Sequence, residues 1–146
     1  MKIWKNLFGK GDKIGATEIA VAPGLMLDGA VIVESGENTN GQYVKFGDGT
    51  MICTKIMSGT ADISEPWGQG YTTGANNTIS LGEFAVEFTE TPVTQVMVVR
   101  PGSSNLWLAS NIYISEKRAG WVSLLRFTPA SGVSYTLHVF AIGRWK

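Results

Sequence analysis

The sequence is short of the residues on which most site chemistry depends. It holds one cysteine and one histidine in 146 residues. A single Cys53 excludes an intrachain disulfide and any cysteine cage for zinc. Its apolar neighbours Ile52 and Ile56 predict a buried structural thiol rather than a reactive one. His138 sits mid-strand among apolar residues and reads as a packed or interface side chain, not a catalytic base. Charge is also scarce, at 16% of residues with a formal net charge of zero, against about 25% charged in ordinary soluble domains. Balanced charge removes the long-range attraction that gathers nucleic acid, so no nucleic-acid partner is expected. Low charge density implies that part of the surface is hidden against other subunits. No apolar run reaches the ~18 residues that span a bilayer, so no membrane insertion is expected. Met1-Lys2-Ile3-Trp4-Lys5 starts basic, but Gly9, Lys10, Gly11 and Asp12 break the apolar stretch that a secretory signal needs. No Gly-x-Ser-x-Gly elbow is present, and Gly9-Lys10-Gly11-Asp12-Lys13 lacks the spacing of a phosphate loop. No cofactor and no metal are expected.

Turn formers and aromatic residues are plentiful, with 18 glycines and 5 tryptophans, and 44% of residues are hydrophobic. The length suits one domain with a small appendage. Ile3, Trp4, Leu7 and Phe8 fall on one face of a short helix that Gly9 and Gly11 end. Two turns of helix are not stable alone, so that face needs a neighbouring subunit or larger assembly, rests on a membrane surface, or frays. Residues 12–29 read as a linker or extended arm. Ala30–Glu34 reads as a first strand and Ser35–Gly41 as a polar loop. Tyr43–Phe46 and Thr50–Met57 read as a hairpin around Gly47-Asp48-Gly49, whose glycines tolerate positive φ. Residues 58–80 show no period and read as a long loop, which in a small domain is usually functional or packed on a neighbour.

From Leu81 the pattern alternates. Phe84, Val86 and Phe88 form one set, Gln95–Arg100 and Leu106–Ser115 further strands, then Trp121, Ser123, Leu125 and Phe127. The last strand, 137–146, is apolar on both alternating sets and is expected to end the protein without a tail. Strands every 8–14 residues with no long helical period predict an all-β fold, an antiparallel β-sandwich.

The run Gly41-Gln42-Tyr43-Val44-Lys45-Phe46, with Asp48-Gly49-Thr50-Met51-Ile52-Cys53 and the terminal Ala141-Ile142-Gly143-Arg144-Trp145, resembles the C-terminal tips of bacteriophage and prophage tail fibres. Phe84–Val99, Asn111-Ile112 and Gly120-Trp121 are similar to the strand order of the H-type lectin sandwich. The likeness covers roughly residues 30–146. It implies about six antiparallel strands assembled as a homotrimer, in a virion made in the bacterial cytoplasm. It further implies binding of a host cell-surface polysaccharide near subunit boundaries. Three regions follow: 1–29 for attachment to other tail proteins or oligomerisation, 30–80 for the hairpin and long loop, and 81–146 for the lectin-like sandwich.

Sugar binding needs an aromatic face and nearby polar forks. Trp107 beside Asn105 and Arg100, and Trp67 beside Tyr71, are the loop-edge candidates, each pair serving either binding or packing. Trp121 and Trp145 are assigned to the core or the trimer axis. Arg144 is expected to pair with a glutamate or the chain terminus at an interface. Asp62 with Glu65, and Glu83, Glu87 and Glu90, are carboxylate groupings that in principle hydrolyse glycans, but their alternation with core residues reads as solvated edges. The reading is a non-enzymatic receptor-binding tip, with a purely structural virion protein as the alternative.

Overall fold

The computed structural model describes residues 31–74, 77–99 and 105–146. The helix expected at 1–8 and the arm at 12–29 lie outside the described residues. Among the described residues ten strands form two antiparallel sheets, rather than the expected six strands. In the first sheet the order is β1 (Ile32–Asn38), β2 (Gly41–Phe46), β3 (Thr50–Ile63), β10 (Ala130–Arg144) and β7 (Val93–Val99). The second contains β4 (Glu65–Trp67), β5 (Gly70–Thr72), β9 (Arg118–Arg126), β6 (Ile79–Glu83) and β8 (Trp107–Ile112). Trp121 and Leu125 of β9 each pair on both sides, so β8 runs along one edge of β9 while β5 and β6 share the other.

Alternation sets the core. Val133, Tyr135, Leu137, Val139 and Ala141 of β10 point inward together with Met51, Cys53 and Ile63 of β3. They meet Ile79, Leu81, Ala119, Val122 and Leu124 from the second sheet. β3 and β10 pair from Thr50↔Arg144 to Ile63↔Ala130, so residues on either side of position 80 build one sheet.

Several sequence expectations change here for identifiable reasons. The polar segment after Glu34 is strand as far as Asn38, because a two-residue turn returns it onto β2. Asn38 Oδ1 accepts from the Asn40 amide at 2.8 Å, and Gly41 takes a φ of 123°. Residues 58–80 are not a long loop but the end of β3, then β4, β5 and the start of β6. Ser58–Asp62 carries no apolar alternation because its partner supplies the bulk. A side chain at Gly59 would place its Cβ 2.6 Å from the Tyr135 hydroxyl. Residues 84–88 are not a strand. The Phe84 amide donates to Lys117 O at 2.9 Å and the Phe88 amide to Glu116 O at 3.0 Å. This curl buries both rings edge to face, 5.1 Å apart.

The two segments that carried the tail-fibre likeness meet in space. The Trp145 amide donates to Gly49 O and its indole Nε1 to Phe46 O, both at 3.0 Å. Arg144 Nη2 donates to Asp48 O at 2.7 Å and Lys146 Nζ to Gly47 O at 2.8 Å. Within the chain Arg144 therefore holds a turn carbonyl. Trp145 packs against the core, and the Lys45 and Lys146 ammonium groups lie 5.3 and 4.9 Å from its ring centre. Asp48 locks the turn from within, its carboxylate accepting from the Thr50 amide at 2.8 Å and hydroxyl at 3.1 Å.

Those two bonds from Thr50 hold the Asp48 carboxyl below its usual value, amide first and hydroxyl second. A lowered folded-state pKa gives stability that is full above the ordinary aspartate value and lost as pH falls through the folded one. Asp48→Asn keeps the turn's acceptor but not its charge. Urea midpoints should therefore show wild type ahead of Asp48→Asn at about pH 7, with the gap shrinking at about pH 3. An equal gap at both pH values would show that the charge at Asp48 does not matter.

Candidate functional site

Cross-strand register brings distant residues onto the outer face of the second sheet. Glu65, Thr72, Leu125 and Trp107 pair in sequence across β4, β5, β9 and β8. Paired residues share a face, and residues two apart on a strand share it too. Trp67, paired with Gly70, therefore lies on the same face one step along. Phe127 follows the end of β9, and its ring stands edge-on to Trp107 with centres 5.1 Å apart. Trp67, Trp107 and Phe127 are all exposed. Gly70 lies between Trp67 and the Trp107–Phe127 pair, and it is buried. A Cβ there would lie 2.9 Å from Arg126 O and 3.3 Å from Leu125 Cδ1. The face is thus a low floor of Gly70, Thr72 and Leu125 between aromatic walls. Three strand intervals separate β4 from β8, about 14 Å.

A second aromatic pair lies farther along β9. Tyr113, exposed and with a φ of 59°, sets its ring edge-on to Trp121 at 5.8 Å. Trp121 is half-buried beneath it rather than in the core.

The structure thus unites Trp67 and Trp107, which the sequence offered as separate candidates. Asn105 is exposed two residues before Trp107. Arg100 lies outside the described residues. Tyr71 does not join the face: it pairs with Arg126 and packs against the core. Phe127 and Tyr113 were missed. Phe127 was read as one more alternating strand residue, although Thr128-Pro129 directly after it marks a strand end where a side chain is free to turn.

Carboxylates are dispersed. Asp62 Oδ1 accepts from the Gly132 amide at 2.7 Å, and Glu83 lies 3.4 Å from the Lys117 ammonium. Glu65 alone joins the aromatic row. Among the described residues no three histidine, cysteine, aspartate or glutamate side chains gather as a metal site. Cys53 is buried, and that burial raises its thiol pKa above the usual value.

No protein-family model matches the chain, and no curated protein matches it. Among solved structures it is similar to the N-truncated R1-type pyocin tail fiber, at 16% identity and a TM-score of 0.45, over 76% of this chain and 86% of that one. A likeness that distant says nothing about what this chain does. The class that the strands themselves define is an all-β protein of two antiparallel sheets packed as a sandwich.

Proposed function

We propose that the chain is the receptor-binding tip of a phage or prophage tail fibre, a virion component that holds a host cell-surface polysaccharide without cleaving it. The observation that carries this reading is the exposed face of Trp67, Trp107 and Phe127 over a glycine-containing floor. Flat aromatic rings cover the apolar faces of sugar rings, while Glu65, Thr72 and Asn105 offer polar groups for their hydroxyls. A trough of about 14 Å across suits a short stretch of polysaccharide better than a single small metabolite. Binding without catalysis is supported by Glu65 being the one carboxylate on this face among the described residues, since hydrolysis of a glycosidic bond ordinarily takes two. The tail-fibre assignment rests on the residues 41–53 and 141–145 that carry the sequence resemblance. It includes assembly as a homotrimer and attachment to other tail proteins through residues 1–29.

The test is binding of the labelled protein to a panel of bacterial cells, before and after periodate oxidation of surface sugars. Strain-selective binding that periodate removes, with no sugar released, is the expected result. A folded protein that binds no strain would favour the purely structural virion component, and soluble sugar in the supernatant would show an enzyme.

A further inference from the structure

We propose that the outer face of the first sheet, centred on His138, is the surface on which a second copy of this chain docks. This deepens the homotrimer reading above and rests on it, by naming the surface.

Register defines the face as four rows. Val44, Ile52, Ile142 and Val93 form the first, and Gln42, Thr54, Phe140 and Gln95 the second. Ile56, His138 and Met97 form the third, and Ser58, Thr136 and Val99 the fourth. Ile56 is 68% exposed, Val93 74%, Met97 54% and Phe140 41%. With Val99, these leave on the order of 500 Å² of apolar surface, about the largest patch that ordinary monomers expose. A stable interface takes about 800 Å² from each partner, and this patch supplies the greater part of that. A depression of about 530 Å³ lies within it, lined by Ile56, Met97, His138 and Phe140 among others. That concavity accepts projecting side chains from an opposing surface.

Charge selects the occupant. As far as β2 the four rows contain no aspartate, glutamate, lysine or arginine, Glu37 extends the second row on β1, and Lys55 lines the depression. The apolar centre of the face therefore meets another copy of itself without like-charge repulsion. The ionisable groups around it are committed to other contacts. Glu37 at the β1 edge accepts from Gln42 at 3.3 Å, and Asp62 holds the Gly132 amide. Arg144 holds Asp48 O, and the Lys55 ammonium crosses to Leu81 O at 3.0 Å. His138 stands between Ile56 of β3 and Met97 of β7.

The full chain is tested by sedimentation at neutral pH, with folding checked by circular dichroism. Wild type should sediment as an oligomer. Ile56→Glu and Met97→Glu should weaken association at least tenfold and give folded monomers, while Trp67→Glu on the other sheet leaves the oligomer intact. Should the glutamate variants fail to fold, Thr54→Lys charges the same face from an exposed polar position and keeps every apolar residue. An oligomer that survives all three first-sheet changes would overturn the docking surface and leave the oligomer reading standing. A monomeric wild type would overturn both.

Discussion

Alanine at Trp67 or at Phe127 should weaken polysaccharide binding at least tenfold each, about 1.4 kcal/mol apiece, with the fold unchanged. Both rings are exposed, so their removal opens no cavity in the core. Each loses a stacking wall on its own side of the Gly70 floor. Trp107→Ala should cost a similar amount, but Trp107→Ala with Phe127→Ala should cost less than the sum. The two rings are in edge-to-face contact, and removing one already frees the other from the position it holds. Tyr71→Ala supplies the contrast. Its ring packs against the core, so it should lower the unfolding midpoint while leaving affinity per folded molecule nearly unchanged. Calorimetric titration with purified surface polysaccharide measures affinity in all five variants, and urea titration measures the midpoint of Tyr71→Ala. Unchanged affinity in Trp67→Ala and Phe127→Ala would remove the face from the binding site.

Leu137→Ala should lose about 3 kcal/mol of stability, and the melting temperature should fall by roughly 10 °C. Leu137 is wholly buried on β10, whose neighbours β3 and β7 pair with it at Met57 and Val98. It faces the second sheet from the middle of the first, where strands held on both sides have little room to close a cavity. Thr60→Ala on the outward face of β3 should change stability by no more than about 0.5 kcal/mol. Urea titration of both variants decides the matter, and equal losses would mean that the inward and outward faces are assigned wrongly.

The last strand was legible as a strand but its inward face was not: both alternating sets are apolar in the sequence, and packing on the second sheet decides that Val139 and Ala141 are covered while Phe140 stays exposed. The hairpin turn at 47–49 was legible because glycine around an aspartate is a local signal. The segment from Ser58 to Thr72 was not. Gly59 is small because the Tyr135 ring lies against it, 76 positions away in the chain, and no local period records such a fit. Phe84 and Phe88 had the spacing of either an alternating strand or a curled segment. Only the carbonyls of Glu116 and Lys117 chose between them.

The candidate site divides in the same way. The sequence by itself determined the all-β class, the absence of clustered cysteine or histidine chemistry, and Trp67 and Trp107 as aromatic candidates. Composition and local periodicity depend only on neighbours along the chain. The tertiary structure decided that Trp67 and Trp107 share one face, that Phe127 completes it and that Tyr71 leaves it. It also decided that Trp145 closes over the turn at Gly49, and that His138 stands at the centre of the first sheet's outer face. Each of these is a matter of strand register, and register is set by which strands pair across the whole chain, not by any one of them.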